Sequence, residues 1–262
     1  MRYPISLLSV LILSSAPVLA ADAPAPAVDR AAAATPPAPA TPVLPPAAQP
    51  EAVKPVPVTK PVDLFNGKDL VGWNYFVNGK PADPATVVSV KEDGVLAVAN
   101  KPNGYLMLDP ARENYQLHVE WRWTTPNPRP STNGGVLLNI VPGPLQQNVW
   151  PISFQFQLKV TRAGDVISMS SAKCAEADAG KTANREKDAS EKPAGEWNSA
   201  DVTVRGDTIE ISVNGVVQNK VTKCVPAAGR IGFQLEGYAY ELRNLKLSPL
   251  EPEKPAPKPA TP

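Results

Sequence analysis

Alternation of apolar and polar side chains is the dominant pattern in the middle of the chain. Two stretches, residues 115–123 and 153–160, alternate strictly. Their apolar members are Tyr115, Leu117, Val119, Trp121, Trp123, Phe154, Phe156, Leu158 and Val160. Their polar members are Gln116, His118, Glu120, Arg122, Gln155, Gln157 and Lys159. A period of two residues predicts strands that bury one face and expose the other.

Further segments predict more strands and the turns between them. Asn214-Gly215 separates two apolar-rich runs and predicts a type I′ hairpin, because both residues tolerate positive φ. In residues 240–247 the alternation shifts by one position, which predicts a bulge near Arg243-Asn244. Many short strands without a helical period predict a two-sheet antiparallel sandwich or jelly roll. Residues 173–193 are polar and are expected to form a long exposed loop or a short helix.

The distribution of proline separates a folded body from its two ends. Twelve of the 32 prolines lie in residues 21–61, and six lie in residues 249–262. Because proline restricts φ and lacks an amide donor, we expect an extended linker at 21–61 and an extended tail at 251–262. One globular body is then expected at residues 62–250. The linker either holds this body away from a surface such as the cell wall or is a spacer without a partner.

The first twenty residues have the parts of a secretory signal peptide. Arg2 precedes an apolar run from Ile5 to Leu13, and small residues follow at the cleavage position. The run is too short to span a bilayer as a helix, although an uncleaved anchor is the alternative. We expect cleavage after Ala20 or Ala21 and a periplasmic or secreted mature protein without a membrane span.

Charge and cysteine content narrow the classes of function. The formal net charge is +1, so the chain lacks the basic field that drives nonspecific binding to nucleic acid or anionic membranes. One histidine and two cysteines are too few for a structural zinc site. The pattern indicates no metal site and no cofactor. In an oxidising compartment Cys174 and Cys224 are expected to form a disulfide, and two buried free thiols are the alternative.

The polar faces of the predicted strands are the candidate binding surface. Amide, carboxylate and guanidinium groups can hydrogen-bond sugar hydroxyls if these strands line a concave sheet. Trp73, Trp150 and Trp197 fall at segment ends, where they either stack on a sugar ring or plug the rim of the core. The alternative for the polar faces is plain solvation.

Catalysis of glycoside cleavage usually requires two carboxyl groups in different protonation states. Glu120 and Glu236 are the candidates on or beside strands, and Asp165 and Glu196 are alternatives in loops. His118 is the only histidine that could act as a base. Spacing in the sequence does not bring any two of these groups together, and a salt bridge is the alternative role for each.

A series of segments resembles the 3-keto-disaccharide hydrolase domain family, formerly domain of unknown function 1080. The matching segments, in order, are LFNGKDLVGW (64–73), ENYQLHVEWRW (113–123), NGGVLLNI (133–140), WPISFQFQL (150–158), AGD (163–165), GEWNSADVTVRGDTIEISVNGVVQNK (195–220) and GRIGFQLEGYAYELRNLKLSPL (229–250). The resemblance implies an all-β, concanavalin-like antiparallel jelly roll, export, and action on glycosides oxidised to a ketone at C3. The ketone acidifies the neighbouring C–H, so proton abstraction, elimination and hydration can cleave the glycoside.

The residue patterns and the resemblance together assign roles to residues, and the sequence departs from the family pattern at Gln155, Asn139 and Gly134, the last of which stands where relatives usually carry serine. Acid–base chemistry falls to Glu236 and Glu120. The residues expected to bind the sugar are Asn133, Asn139, Trp150, Gln155, Gln157 and Arg243. Gln155 stands where relatives usually carry glutamate, and Asn139 stands where they often carry histidine. Two functions therefore remain: hydrolase or lyase cleavage of 3-keto-glycosides, or carbohydrate binding by a module that has lost its acid–base residues.

Overall fold

The structure is a computed structural model that describes residues 54–251. The predicted signal peptide (1–20), residues 21–53 of the predicted linker and the tail from residue 252 lie outside the described residues. The end of the linker segment belongs to the folded body. Val56 and Pro57 pair in parallel with Arg112 and Glu113, and the side chain of Val58 is buried.

Strands dominate the described residues. In chain order they are β1 (Val56–Pro57), β2 (Val62–Asp63), β3 (Trp73–Val77), β4 (Lys80–Ala82), β5 (Val88–Val90), β6 (Leu96–Val98), β7 (Gly104–Glu113), β8 (Tyr115–Trp123), β9 (Gly135–Gln146), β10 (Trp150–Gln157), β11 (Val166–Met169), β12 (Thr182–Ala183), β13 (Asn198–Arg205), β14 (Thr208–Val213), β15 (Val216–Val221), β16 (Gly229–Leu235) and β17 (Tyr240–Pro249). Between residues 54 and 251 the only helix is a 3₁₀ turn, Pro84–Thr86.

Two sheets contain these strands. Sheet A has the order β12-β11-β10-β9-β16-β7-β3-β4, with β1 beside β7. Sheet B has the order β15-β14-β13-β8-β17-β6-β5, with β2 beside β17. All pairs except β1–β7 are antiparallel. The predicted two-sheet antiparallel sandwich is confirmed.

The apolar side chains of both sheets meet in one core. Trp121 of β8 contacts Phe156 of β10 edge to face, with ring centroids 6.1 Å apart, and this contact joins sheet B to sheet A. The inward members of the strictly alternating strands are fully or almost fully buried, except Val160, which follows the end of β10 and is partly buried. Because apolar burial is the main driving force for folding, the alternation decides which face of each sheet points into the core.

Local predictions about turns are also confirmed. Asn214 and Gly215 connect β14 to β15 with φ values of 50° and 80°, as a type I′ turn requires. The pairing of β17 with β8 shifts register between Arg243 and Lys246, and Asn244 has a φ of 51°. Residues 173–193 form a loop that includes β12 and has no helix.

The two cysteines correct one prediction. Cys174 and Cys224 are buried free thiols, so the predicted disulfide is not formed in the structure. An antiparallel bridge between Lys173 and Val225 nevertheless places them at facing positions. Burial, with smaller contributions from Cys174 and nearby carboxylates, raises the pKa of the Cys224 thiol to about 12. The thiolate, which is the reactive form, is therefore disfavoured.

No helix within residues 54–251 has the length and apolar character needed to cross a membrane.

Candidate functional site

The outward side chains of five adjacent strands of sheet A, β10, β9, β16, β7 and β3, form the surface that we call outer face A. Register aligns Gln157 of β10 with Gly135 of β9, and Gln234 of β16 with both Gly135 and Tyr105 of β7. In the next row, Leu137 of β9 is the register partner of both Gln155 of β10 and Gly232 of β16. Gly232 is in turn the partner of Met107 of β7. Amides therefore occupy the β10 side of the face, and larger apolar groups occupy the β7 side.

Five side chains on this face form what we call the amide–acid cluster: Asn133, Gln155, Gln157, Gln234 and Glu236. Gln155 Nε2 donates to Gln234 Oε1 at 2.9 Å and lies 3.5 Å from Gln157 Oε1. Gln155 and Gln234 are each 1% exposed, and Gln157 is 7% exposed. Buried amides must be hydrogen-bonded to be stable, so this part of the face is an ordered network rather than a solvated surface.

Gly135 makes the contact between Gln155 and Gln234 possible. A Cβ at position 135 would lie 2.7 Å from Gln155 Cγ and 2.9 Å from Gln155 Nε2. With hydrogen at that position, the Gln155 side chain can cross over β9 and reach β16, two strands away. The glycine is therefore a steric requirement of the cluster.

Glu236 is the acid of the cluster and follows directly after β16. Asn133 Nδ2 donates to Glu236 Oε2 at 2.5 Å. Burial raises the pKa of the Glu236 carboxyl, and hydrogen bonds from Asn133 and Gln234, with the charge of Lys159, offset only part of that effect. A carboxyl group with a raised pKa is a stronger base and is more easily protonated near neutral pH, as acid–base catalysis requires.

Two polar atoms of adjacent residues, one of which holds Glu236, are buried without a protein partner. Within residues 54–251, neither Asn133 Oδ1 nor Thr132 Oγ1 has a hydrogen-bond partner. Unsatisfied buried groups are rare in folded proteins because each costs about 1–3 kcal/mol. Asn133 Oδ1, on the side chain that holds Glu236, is thus suited to accept a hydrogen bond from a hydroxyl group of a ligand.

Glu120 and Arg243 do not join this cluster. Both lie on the outward side of sheet B, which we call outer face B and which includes His118, Glu120, Arg122, Glu241 and Arg243. Because the two sheets pack through their inner faces, outer faces A and B point in opposite directions. The expectation that Glu120 and Arg243 converge with Glu236 and Gln155 was wrong, since alternation along a strand does not reveal which sheet the strand enters.

The charged side chains of outer face B form ion pairs. Arg243 Nε and Asn244 Nδ2 each donate to Glu120, both at 2.6 Å. Burial opposes ionisation of Glu120, but the hydrogen bonds from Asn244 and Arg243 and the Arg243 charge outweigh it and lower the Glu120 pKa. His118 Nδ1 lies 2.8 Å from Asp201 Oδ1. These groups serve as structural pairs.

Asn139 and Trp150 also lie outside the cluster. Asn139 has a φ of 54°, is fully buried, and donates from Nδ2 to the carbonyl oxygen of Pro226 at 3.1 Å. The pairing of β9 with β16 is irregular at this point, so Asn139 leaves the alternation of outer face A. Trp150 is 4% exposed and offers no open ring to a sugar.

Of the other aromatic and acidic candidates, Glu196 is exposed in a loop and the rest have structural partners. Trp73 is buried and stacks on Phe233 with ring centroids 5.6 Å apart. Arg122 and Arg243 lie 4.6 and 4.1 Å from the ring centroid of Trp197, which places their guanidinium groups over this ring. Asp165 is buried and accepts from Arg162 Nε at 2.6 Å.

A cavity of about 290 Å³ lies on the β7 side of outer face A. Its walls include Phe76, Tyr105, Met107, Ile140, Leu145 and Arg230. Sequence reasoning missed these residues because β7 and the end of β9 carry apolar side chains on both faces, so no period-two signal marks their outward side. The only available signal was that Tyr105 and Met107 alternate with Leu106 and Leu108.

The fold and this face together define a jelly-roll domain with an amide-rich outer face. Residues 60–248 match the family described as 3-keto-alpha-glucoside-1,2-lyase-like domain, and the chain belongs to this family. No curated protein matches the sequence.

Two solved structures from Parabacteroides distasonis ATCC 8503, both candidate glycosyl hydrolases, share the fold. One superposes with a TM-score of 0.55 at 20% identity and covers 73% of this chain and 94% of that chain. The other has a TM-score of 0.52 at 20% identity and covers 73% of this chain and 100% of that chain.

Proposed function

We propose that this protein cleaves 3-keto-glycosides at the amide–acid cluster of outer face A. The observation that carries the proposal is Glu236, a carboxyl group with a raised pKa that is held by Asn133 and continues the buried network of Gln155, Gln157 and Gln234. Membership of the 3-keto-alpha-glucoside-1,2-lyase-like family supports the choice of substrate.

In the proposed reaction Glu236 is the base. It takes the proton from the carbon next to the C3 ketone, and the electron pair moves onto the ketone oxygen as an enolate. The Gln157 amide donates to that oxygen, because a donor aimed at developing negative charge stabilises the transition state. The enolate then expels the glycosidic oxygen, which takes up the proton, and water adds to the resulting double bond. The net change is hydrolysis to a 3-keto-sugar and an alcohol.

Incubation with 3-keto-trehalose tests this function. The wild-type protein is expected to release glucose, and Glu236→Gln is expected to slow release at least about a hundredfold, since acid–base groups contribute 10²–10⁴-fold. Glu92→Gln removes an exposed carboxyl in the turn between β5 and β6 and serves as the matched control. Undiminished release by Glu236→Gln would remove the assigned base, and no release by the wild-type protein would remove the function.

Saccharide binding without turnover is the second candidate function. It is favoured by Gln155, a neutral amide at a position where relatives usually carry an acid, which leaves Glu236 as the one carboxyl group among the five members of the cluster. Calorimetry with a glycan panel is then expected to show binding while 3-keto-trehalose stays intact. Flat isotherms over the whole panel would exclude this function.

Export of the mature chain completes the proposal and rests on the signal-like residues 1–20 together with the Pro-rich segment behind them. Amino-terminal sequencing of protein recovered from the periplasm or medium is expected to start at Ala21 or Asp22. Recovery of the uncleaved chain from the cytoplasm alone would contradict export.

A further inference from the structure

The cavity beside the amide–acid cluster has a different chemistry from the cluster itself. Phe76 and Tyr105 stack with ring centroids 5.1 Å apart and an interplanar angle of 13°, and they form one wall. Met107, Ile140 and Leu145 add aliphatic surface. The charged group at its edge, Arg230, forms an ion pair with Asp109. A ligand in this cavity therefore meets apolar walls and a guanidinium group that already has a partner.

The cavity and the cluster are neighbours on outer face A, because Tyr105 of the cavity wall is paired in register with Gln234 of the cluster. Gln234 of the cluster and Arg230 of the cavity both point outward from β16, and the side chain of Ile140, a wall of the cavity, covers Gly232 between them, where its Cδ1 would lie 2.7 Å from a Cβ. Four residues along a strand span about 13 Å, so Gln234 and Arg230 are separated by roughly the length of two linked rings. A ligand bound at the cluster can thus extend directly into the cavity.

Leu145 forms part of the cavity's roof. It belongs to the end of β9, yet its Cδ1 would lie only 2.5 Å from a Cβ at Gly79, in the turn between β3 and β4. Two strands, β16 and β7, separate β9 from β3 in the sheet. The end of β9 therefore crosses over outer face A, and the space beneath it is enclosed from two sides.

The walls favour a flat apolar ring over a second sugar. Sugar hydroxyls buried against Phe76, Met107 and Ile140 would lose their hydrogen bonds to water without replacement, which is costly. An aromatic ring can stack against the Tyr105 side of the cavity. It has no hydroxyl groups, so it loses no hydrogen bonds to water on binding. The volume of about 290 Å³ is roughly twice that of a ~150 Å³ cavity that accommodates benzene.

We infer that this cavity is the subsite for the leaving group and that the substrates are 3-keto-glycosides of aromatic alcohols, such as phenols, rather than disaccharides. This inference rests on the proposed function for the position of the sugar at the cluster. The aromatic ring lies against Tyr105 and Met107, and its glycosidic oxygen lies at the boundary between the cavity and the cluster.

Two substrates with the same sugar and different leaving groups test the inference. The kcat/KM of the wild-type protein is expected to be at least tenfold higher for 4-nitrophenyl 3-keto-glucoside than for 3-keto-trehalose. Met107→Gln places a polar group of similar length in the wall and is expected to reduce this preference about tenfold. Val217→Gln is the matched control, because Val217 is 48% exposed on β15 of sheet B, and it is expected to leave both values unchanged.

Calorimetry with unoxidised 4-nitrophenyl glucoside separates the subsite from the chemistry, because this probe reports binding without turnover. Wild-type protein is expected to bind it about tenfold more tightly than Met107→Gln does. Turnover of 3-keto-trehalose without aryl preference, or aryl binding insensitive to Met107→Gln, would overturn the subsite and leave the function standing. Binding that depends on Met107 without turnover of either substrate would keep the subsite and overturn the function. If Met107→Gln melts early, Leu145→Ser on the half-exposed roof replaces it.

Discussion

Both outer faces of the sandwich contain alternating strands, but the pKa shifts of their carboxyl groups have opposite signs. On outer face B, Glu120 and Glu241 each accept hydrogen bonds from cationic side chains, and the pKa of both carboxyls is lowered. On outer face A, Glu236 is surrounded by amides, and its pKa is raised. The polar groups of face B are thus saturated by one another, while face A keeps a carboxyl without an ion-pair partner within 4 Å among the described residues.

This difference shows which polar strand faces carry chemistry. A carboxylate that is fully ion-paired is held in its charged form and has little tendency to exchange protons. A carboxyl held by neutral amides is costly to ionise, and Asn133 Oδ1 beside it has no hydrogen-bond partner within residues 54–251. Counting acidic residues on strand faces does not distinguish these cases, whereas the partners of each acid do.

The largest expected contrast between the faces is in catalysis. Since Glu236 must be ionised to act as a base, kcat/KM of the wild-type protein should fall as pH decreases through the raised Glu236 pKa. Glu120→Gln should keep this pH profile and a kcat/KM within about twofold of the wild type. Glu236→Gln should lose about two orders of magnitude and the acid limb. If Glu120→Gln lowered kcat/KM as much as Glu236→Gln does, outer face B would again be a candidate for the catalytic site.

A smaller contrast concerns packing of the cluster. Gly135→Ala should displace the Gln155 side chain and destabilise the fold by about 1–3 kcal/mol, as overpacking does. Gln155→Ala removes the atoms that the methyl group of Gly135→Ala would meet. The Gly135→Ala/Gln155→Ala double variant should therefore lose less free energy of unfolding than the two single variants lose together. Denaturant unfolding of all four proteins measures this coupling. Strict additivity would mean that Gln155 does not lie over Gly135.

The smallest contrast is the pH dependence of stability, which should have opposite signs on the two faces. The folded-state pKa of Glu236 is raised, so its stabilising contribution is present below its unfolded pKa of about 4.3 and is lost as pH rises through the folded value. The folded-state pKa of Glu120 is lowered, so its contribution is present above about 4.3 and is lost as pH falls through the folded value.

At pH 7 Glu236→Gln should therefore raise the free energy of unfolding and Glu120→Gln should lower it, the latter by up to about 1 kcal/mol. Thermal or denaturant unfolding at pH 7 and at pH 4 provides the measurement, and the wild-type protein is the reference at each pH. Changes of the same sign for both variants would contradict the assigned environments.

Half of the candidate site was predictable from residues and resemblance. Asn133, Gln155, Gln157 and Glu236 were expected to act together, and they form the cluster. Glu120 and Arg243 were expected with them but belong to sheet B. Asn139 was misplaced because a bulge rotates it out of the alternation, and Trp150 because burial at a strand end leaves no mark in the sequence.

The sequence by itself determined the alternating strands, the hairpin at Asn214-Gly215, the bulge after Arg243 and the inward side of each alternating strand, because these depend on neighbours a few residues apart. Only the tertiary structure decided which outward faces share a surface. That choice depends on the order of strands in each sheet, and β16 lies between β9 and β7 although β10 to β15 separate it from them along the chain. Glu236 acquires its raised pKa, and the cavity its walls, from such distant neighbours.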